Sequence, residues 1–390
     1  MRILLTHRFF WPDTAPYATL LRSIGKRLVA EGHEVSVLSS LPSYRSGTSG
    51  DVPRDAVIDG LALHRIRVQP YEKRHPLRRM VNVIVYMVAL FRTVLRTRPD
   101  VVTAAAFPPV FAAWSASLAA RLVGASFVYH VQDIHPEVSI LSGGPLGRGP
   151  LMWLMRWLDN QSLRRSAAII VLSQDMAETL GARGLGALPI HVINNAELDI
   201  FGVAEPAPAA LYKAQGVQRV IFAGNLGRFQ NLPLLAEGVA RLFKDRPALE
   251  LFFLGDGAAQ PELQARWAGN RQVRFAPFLP FAQARGLIAE ADVGLVSLLP
   301  GVYRVAYPSK VSTYLSLGVP VLALVEPESN LARDLIRSGQ GQVPAAATPE
   351  AIAASLAQLL DAPRRIDPAS LPSREMIESS VMTVFEGLST

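Results

Sequence analysis

Residues 303–329, YRVAYPSKVSTYLSLGVPVLALVEPES, carry the pattern that decides the fold. A polar loop with Lys310 leads into apolar side chains at helical spacing, and Gly318 followed by Pro320 ends that helix. A strand at 321–325 then runs into a polar end that begins with Glu326. In open α/β sheets ligands bind at such strand ends, and a lysine beside a helix start is suited to holding phosphate. For this stretch alone, an ordinary αβ unit with a surface lysine fits equally well.

The same alternation of apolar strands and amphipathic helices fills both halves of the chain. It opens with a strand at 1–6, a helix at 18–30 and a strand at 35–39, and it restarts at 219 after an Ala/Pro-rich break. We therefore predict an α/β protein with two doubly wound domains. The predicted parts are an N-terminal domain at 1–201, a linker at 202–216, a C-terminal domain at 217–365, and a helix at 366–390 that folds back onto the first domain.

Composition excludes several classes of site. The chain has 390 residues, of which 50% are hydrophobic and 18% charged, so it is globular and can bury large cores. Cysteine is absent, which excludes a disulfide framework, a thiolate metal site and a cysteine nucleophile. The start, MRILLTHRFFW, lacks the long apolar region of a signal peptide, and we expect a cytoplasmic protein.

The net charge of +7 predicts acidic partners, and the charge is concentrated between 64 and 98. This segment holds one acid, Glu72, and an apolar run at 80–95 that we expect to be too short and too interrupted to span a bilayer. A basic flank beside an apolar helix is typical of a segment at an anionic membrane face, and it also fits a buried helix with a solvated approach. A nucleic-acid partner is disfavoured because aromatic residues do not alternate with the basic ones. The basic residues are Arg65, Arg67, Lys73, Arg74, Arg78, Arg79, Arg92, Arg96 and Arg98.

Three loops at predicted strand ends carry candidate site residues. The loop after the first strand is rich in aromatic side chains and lacks GxGxxG, the dinucleotide fingerprint. A later strand ends at HVQDIHPE, where a histidine, Asp133 and Glu137 cluster as candidate site residues, although a lone histidine such as His130 there is equally often structural. In the second half, Gly224 and Gly227 lie in a loop whose backbone amides can approach a phosphate.

Taken in order, these segments resemble the retaining glycosyltransferases of family 4, which have the GT-B fold, nearly from end to end. The segment at 130–137 and those of the second half are similar to the branch that builds bacterial surface polysaccharides. The motifs that carry the resemblance are RPDVV at 98–102, HVQDIHPE at 130–137, NNAELDIF at 194–201, FAGNLG at 222–227, PSK at 308–310 and GVP at 318–320.

The resemblance implies two Rossmann-like domains facing each other across a cleft. It implies a UDP- or GDP-linked sugar bound mainly by the C-terminal half, an acceptor bound mainly by the N-terminal half, and transfer with retention. It implies no cofactor and no metal, since side chains and helix N-termini stabilise the leaving diphosphate. The chain departs from the family at four positions: the paired glutamates fall on Val305 and Thr313, and the usual arginine and lysine of the glycine loop fall on Asn225 and Gln230.

The resemblance also implies roles for individual residues. Lys310 and Arg228 neutralise charge on the diphosphate, His130 contacts the donor sugar or the diphosphate, and Asp133 positions the acceptor hydroxyl or caps a loop. We predict that the acceptor contacts Phe10, Trp11 and Tyr17. The predicted donor-binding residues are Gly224, Asn225, Gly227, Arg228, Gly255, Pro277, Tyr307, Pro308, Ser309, Lys310, Thr313 and Glu326.

We therefore expect a cytoplasmic, metal-independent, retaining hexosyltransferase at the inner face of the cytoplasmic membrane. Its expected acceptor is a lipid-diphosphate-linked sugar or glycan in bacterial surface-polysaccharide assembly. The alternatives are an inverting GT-B enzyme, a sugar-nucleotide epimerase, and a non-catalytic partner protein that keeps the fold.

Overall fold

The computed structural model describes residues 1–13, 16–42, 52–68, 76–105, 107–141, 143–144, 147–195, 205–227, 230–362 and 365–388. The chain divides into two compact units. The first unit comprises Met1–Ala196, Val305–Tyr307 and Arg374–Thr390, and the second comprises Glu197–Arg304 and Pro308–Ser373. The final helix thus packs in the first unit, where Arg374 and Glu378 bond to Ser23.

The first unit is built on an eight-stranded sheet in the order β3-β4-β2-β1-β5-β6-β7-β8. Every pairing in it is parallel except that of β3 with β4. Its strands alternate with helices because apolar strands buried on both faces need helices to cover them. The strands are β1 Arg2–Thr6, β2 Glu34–Ser40, β3 Asp55–Ile58, β4 Leu61–Ile66, β5 Val101–Ala105, β6 Ser126–Val131, β7 Ala168–Val171 and β8 Ile190–Val192.

The helices of the first unit flank this sheet. They are α1 Pro16–Ala30, α2 Pro76–Thr97, α3 Phe111–Val123, α4 Glu137–Leu141, α5 Gly149–Arg164 and α6 Gln174–Leu180, followed by a π-helix at Gly181–Leu185 and, from the C-terminal end, α13 Arg374–Glu386. Helix α13 packs against α1, and side chains from both meet Ile3, Leu5 and Val37 of the sheet in one apolar core.

The second unit is built on a six-stranded, fully parallel sheet in the order β11-β10-β9-β12-β13-β14. The strands are β9 Gln218–Ala223, β10 Leu249–Leu254, β11 Val273–Ala276, β12 Val293–Ser297, β13 Val321–Leu324 and β14 Gly341–Gln342. The helices are α7 Leu232–Ala240, α8 Gln260–Arg266, α9 Phe281–Ala289, α10 Lys310–Ser316, α11 Asn330–Ser338 and α12 Pro349–Asp361.

The segment predicted as a linker packs on the second unit in its described part. A 3-10 helix at Ala209–Leu211 follows a backbone bond from Glu205 N–H to Ala282 O of 3.0 Å. Lys213 Nζ lies 2.9 Å from the Asp292 carboxylate. The second unit therefore begins earlier in the sequence than the predicted boundary, because these polar contacts hold the segment in place.

Helix α2 is longer than the apolar run suggested. The part at Leu77–Thr97 spans 21 residues and contains an 18-residue window with a mean hydropathy of 1.5, so by length and composition alone it could cross a membrane, contrary to the expectation from the sequence. The run continues because Pro76 fits a first helical turn and arginine is a good helix former. One such helix is weak evidence for a span, and Tyr86, Leu90 and Val94 on one of its sides are fully buried in the first unit.

In each sheet the order of the strands reverses once. The first sheet reverses at β1, which lies between β2 and β5, and the second reverses at β9, which lies between β10 and β12. Ligands of open α/β sheets bind outside the carboxyl ends of the strands at such a reversal. The fold therefore predicts ligand sites at the loops after Thr6 and after Ala223.

Candidate functional site

In the second unit, the residue that the fold brings to the reversal point is Lys310. It is the first residue of α10, and α10 is held to the central strand by Tyr314, whose buried hydroxyl accepts a 2.8 Å hydrogen bond from Ala223 N–H. Gly294 of β12 leaves room for that ring, since a Cβ there would lie 2.4 Å from Tyr314. The lysine Nζ lies 4.6 Å from the centre of the Phe222 ring. The helix thus fixes one cation beside the end of β9.

Two glycines make space next to this cation. Gly224 has φ +113°, and a Cβ there would lie 3.2 Å from Lys310 Cε. Gly255 at the end of β10 has φ +136°, and a Cβ there would lie 2.0 Å from Gly224 O. Only glycine adopts these conformations without strain, so side chains are excluded from the edge where the ends of β9 and β10 meet. The amides of both glycines are used within the sheet, since Gly224 N–H donates to Leu254 O at 2.8 Å and Gly255 N–H donates to Ala276 O at 3.0 Å. This bonding argues against the prediction that the Gly224 amide approaches a phosphate.

The rest of the glycine loop is tied to its own neighbours. Leu226 N–H donates to Asp256 O at 3.0 Å, and Gly227 N–H donates to the Gln230 side chain at 2.9 Å. The Asn225 amide lies so close that a Cβ on Gly227 would be 2.8 Å from its Nδ2. These contacts give the loop a fixed shape. Arg228, the second predicted diphosphate cation, lies outside the described residues.

Burial of Lys310 lowers its pKa to about 8. No carboxylate in the described part of the chain pairs with it, and the cation–π contact with Phe222 is the interaction that its ammonium makes. An ammonium held half-buried without a counter-ion is destabilised in its charged form, and an anion beside it would remove that cost. The site can therefore bind an anion and gain a proton from solvent at mildly alkaline pH.

The other residues predicted to bind the donor differ in exposure and in bonding. Pro277 and Ser309 are exposed at the ends of β11 and at the start of α10, where a ligand can reach them. Thr313 turns its hydroxyl toward Ser309 O at 3.5 Å, within its own helix. The Glu326 carboxylate accepts a hydrogen bond from Gly301 N–H in the turn after β12, so one of its oxygens is bonded to the backbone and not to a donor. Pro308 is half-buried, and Tyr307 belongs to a segment of the first unit.

In the first unit, two histidines and a tyrosine form a buried cluster of rings. Tyr17 packs edge-on between His7 and His130, with ring centres 4.9 Å apart on both sides. Burial lowers the pKa of His7 to about 4. The pKa of His130 is lowered to about 3, mainly by burial and to a smaller extent by the neighbouring His7. Both rings are therefore neutral near pH 7. His130 Nε2 is buried without a hydrogen-bond partner among the described residues, so it can bond to a ligand group but cannot supply positive charge to a diphosphate.

Asp133 follows β6 at the same edge of the sheet. Burial raises its pKa to about 6, so it is poised to exchange a proton near neutral pH. Its backbone pairs in an antiparallel bridge with Ala306, and Ile134 N–H donates to Val305 O at 2.8 Å. Val305, the position on which the resemblance places one of the paired glutamates, is buried against this strand end. An apolar side chain satisfies that buried site without an unpaired charge.

The three predicted acceptor contacts differ in exposure. Trp11 is 43% exposed and carries the Arg22 guanidinium 5.4 Å from its ring centre. Phe10 is 1% exposed and lies in the apolar core with Tyr17, which is 6% exposed. The burial of Phe10 argues against the acceptor contact predicted for it, because its ring has no free surface. A pattern of aromatic residues in a loop cannot separate core from surface positions.

Sequence reasoning missed Arg183, which holds the loop that follows Asp133. Its guanidinium donates to His135 O at 2.7 Å, to Asp159 at 2.6 Å, and to both oxygens of Glu137. The side chain is 2% exposed, so this is a buried ion cluster. The three partners lie 24 to 48 residues away in sequence, and no local spacing predicts such a cluster.

Among the described residues, no group of three or more histidine, aspartate or glutamate side chains is arranged to hold a metal ion. The chemistry that these residues offer is thus a fixed cation beside two glycines in the second unit, and a neutral imidazole beside a titratable carboxyl in the first.

Two family profiles match the chain. The profile described as "Glycosyl transferase 4-like domain" matches residues 17–196, and the one described as "Glycosyl transferases group 1" matches residues 217–362. These matches fall on the two structural units.

Individual proteins resemble the chain over most of its length. WcaI of Escherichia coli (strain K12), whose name assigns it as a glycosyl transferase of colanic acid biosynthesis, is 25% identical over 350 residues, 85% of each chain. Sucrose-phosphate synthase from Thermosynechococcus elongatus has a TM-score of 0.72 at 14% identity and covers 100% of this chain and 99% of its own. HepE of Anabaena, solved with UDP and glucose, has a TM-score of 0.63 at 16% identity and covers 100% of both chains.

Proposed function

Since the chain belongs to the glycosyltransferases of the GT-B fold, we propose that it transfers a hexosyl group from a UDP- or GDP-linked sugar with retention and without a metal ion. The proposed acceptor is a lipid-diphosphate-linked sugar or glycan in bacterial surface-polysaccharide assembly. The similarity to a colanic acid glycosyl transferase supports this choice of acceptor.

The observation that carries the donor half of this proposal is the setting of Lys310. Its half-buried ammonium, which no described carboxylate pairs with, lies against Phe222 and beside Gly224, at the reversal point of the second sheet. As the glycosidic bond breaks, negative charge grows on the diphosphate, and a preorganised cation stabilises that charge more than it stabilises the ground state. Arg228 is the second cation proposed for this role.

The first unit supplies groups that suit an uncharged partner. His130 offers a neutral ring nitrogen, and Asp133 offers a carboxyl that is partly ionised near pH 6. We assign Asp133 to accept a hydrogen bond from the acceptor hydroxyl and His130 to bond a sugar hydroxyl. Trp11 provides an exposed ring on which a sugar can stack.

The proposed location is the inner face of the cytoplasmic membrane, where lipid-linked acceptors are held. Helix α2 supports this, because its outward side exposes Met80, Ile84 and Val88 and its ends carry arginines. An amphipathic basic helix of this kind lies in the interface of an anionic bilayer. We infer that α2 lies on the membrane and does not span it, since its opposite side belongs to the core of the first unit.

A thermal-shift screen against UDP, GDP and their common sugars tests the donor class. A ligand raises the melting temperature only if the folded state binds it. One nucleotide diphosphate should stabilise the protein, and its sugar conjugate should do so as well. No stabilisation by any of them would contradict the proposal.

Product analysis by NMR separates this function from its rivals. Retention predicts that the anomeric configuration of the transferred sugar equals that of the donor. An inverted product would identify an inverting enzyme, and a donor epimerised without any acceptor would identify an epimerase. Donor binding in calorimetry without turnover, tested against lipid-diphosphate sugars and glycans, would favour a non-catalytic partner.

A further inference from the structure

Helices α2, α3 and α5 form one layer on the first sheet. Parallel crossovers are right-handed, and the chain passes in the same direction across the sheet through each of these helices, so they cover the same face, opposite to α1. Helix α3 packs between the other two: Ser115 Oγ donates to Met87 O of α2 at 2.8 Å, and Val110 and Trp114 pack with Met155 of α5. The outward sides of α2 and α5 therefore belong to one surface.

The outward side of α5 is apolar where a surface helix is normally polar. Trp153 is 65% exposed, Trp157 is 56% exposed, and Leu154 beside them is 48% exposed. The inward side buries Met155 and Leu158. These two tryptophans lie one turn apart on the solvent side, and most of their apolar surface is not buried within the first unit.

Helix α2 continues this apolar surface. Its exposed side chains include Met80, Ile84 and Val88, and a shallow depression runs along the helix. The depression is lined by Ile84, Val85, Val88, Ala89, Arg92 and Thr93. Contiguous exposed apolar surface of this kind marks an interaction site.

The charge of the layer indicates what covers it. Across the whole of α2, α3 and α5 the single acid is Asp159, which is buried and paired with Arg183. Within the described part of the chain, the arginines that remain exposed on the three helices have no ion-pair partner. They are Arg78, Arg79, Arg92, Arg96, Arg121 and Arg164. A partner for this surface must be apolar and negatively charged, which is the character of an anionic leaflet and differs from that of a second copy of the same cationic face.

We propose that Trp153 and Trp157 of α5 form an interfacial anchor that, together with α2, seats the first unit on an anionic lipid surface. Tryptophan favours the headgroup level of a bilayer because its ring is apolar and its indole N–H can reach water. Two separated helices define a plane, so the anchor fixes which way the first unit faces as well as its distance from the lipid. This inference rests on the membrane association proposed above and adds the residues that α2 alone does not supply.

Vesicle co-sedimentation tests the anchor. The full-length protein is mixed with vesicles of phosphatidylglycerol and phosphatidylethanolamine, and in parallel with vesicles of phosphatidylcholine alone. We expect binding to the anionic vesicles that weakens as salt rises, and at least about tenfold weaker binding for W153S/W157S. Ile336→Ser is the matched control, because Ile336 is 57% exposed on α11 of the second unit. The control should bind like the wild type, and thermal melting checks that each variant is folded.

Tryptophan fluorescence provides a second readout, which reports contact of the indole rings with lipid and not binding alone. Lipids with brominated chains should quench it on binding, and the quenching should be smaller in W153F/W157F. If the wild type binds anionic vesicles but W153S/W157S binds equally well and no quenching is lost, the anchor is wrong while association through α2 stands.

Two further outcomes would also overturn the anchor. Absence of wild-type binding to phosphatidylglycerol vesicles would remove the proposed membrane association together with the anchor, and sugar transfer would then be judged by product analysis alone. A wild-type dimer in solution that W153S/W157S dissociates, without vesicle binding, would show that a second copy covers this face.

Discussion

At the scale of single residues, the account depends on the electrostatics of Lys310 and Asp133. Burial acts on both groups in the same sense, against the charged form, and so lowers the pKa of the lysine to about 8 and raises that of the aspartate to about 6. Between these two values the lysine is a cation and the aspartate an anion. This is the pair of states that the proposed roles require.

We predict a bell-shaped dependence of kcat/KM on pH. Activity should fall below about pH 6 as Asp133 takes up a proton, and above about pH 8 as Lys310 loses one. Lys310→Arg should remove the alkaline limb, because a guanidinium stays protonated there, and Asp133→Asn should remove the acidic limb along with most of the activity. Steady-state kinetics across pH tests this. An alkaline limb that persists unchanged in Lys310→Arg would assign that limb to another group.

The sequence indicated that Lys310 and the glycine loop belong to a candidate donor site, because a lysine at a loop end and glycines at a strand end are local features. The sequence could not show that Glu326 bonds to Gly301 or that Phe10 is in the core. Both depend on which side chain the fold places nearby. Phe222 was also missed as the ring against Lys310, since an apolar strand residue gives no sign that its face borders a cation.

At the scale of elements, Tyr314 bonds α10 to the central strand of the second sheet. Tyr314 accepts the hydrogen bond of Ala223 N–H in a fully buried setting, and its ring packs on Gly294. The helix ends before Gly318 as predicted, and β13 lies within a residue of its predicted bounds, because a glycine stop and a proline mark them in the sequence. The hairpin of β3 and β4 was not predicted, since those strands are short and one is half exposed.

Tyr314→Phe should lower the free energy of unfolding by about 1–3 kcal/mol, because the buried Ala223 N–H loses its acceptor while the ring still packs. It should also weaken nucleotide binding, since the end of β9 beside Gly224 is no longer fixed to α10. Urea unfolding and calorimetry measure the two effects. Equal stability of Tyr314→Phe and wild type would show that water or a shifted backbone satisfies this group.

The cluster of Arg183 with Glu137 and Asp159 fixes the loop after Asp133. Arg183→Met should cost about 3–5 kcal/mol, because the buried Asp159 carboxylate loses its cation and the half-buried Glu137 loses the nearer of its two. Arg156 is the internal control. It is 3.3 Å from the same Glu137 but its side chain is 39% exposed, so Arg156→Met should cost about 0–1 kcal/mol. Similar losses for both variants in urea unfolding would contradict a buried, structural role for Arg183.

At the scale of the whole molecule, two doubly wound units carry different chemistry. The second offers a cation for a diphosphate, and the first offers neutral and titratable groups for hydroxyls. Strand–helix alternation along the sequence was enough to predict two α/β units, because it repeats after a break rich in alanine and proline. Sequence periodicity could not reveal that residues 305–307 belong to the first unit, since this depends on a backbone pairing with Ile134.

If side chains stabilise the leaving diphosphate, transfer should not need a divalent metal. We predict that the rate of sugar transfer is the same, within error, in excess EDTA and in added magnesium. Coupled detection of the released nucleotide measures the rate. A loss of activity in EDTA that magnesium restores would assign the neutralising charge to a metal ion instead of Lys310.

The most direct test of the central claim is calorimetric titration of the preferred nucleotide diphosphate into wild type, Lys310→Ala and Lys310→Arg near pH 8, in two buffers with different ionisation enthalpies. The account predicts that the wild type takes up protons on binding, because an anion raises the lowered pKa of Lys310. Lys310→Arg should bind without this uptake, and Lys310→Ala should lose about 10- to 100-fold in affinity. Lys244→Ala, which changes an exposed lysine of the same unit, should bind like the wild type. Unchanged affinity and unchanged proton uptake in Lys310→Ala would contradict the account.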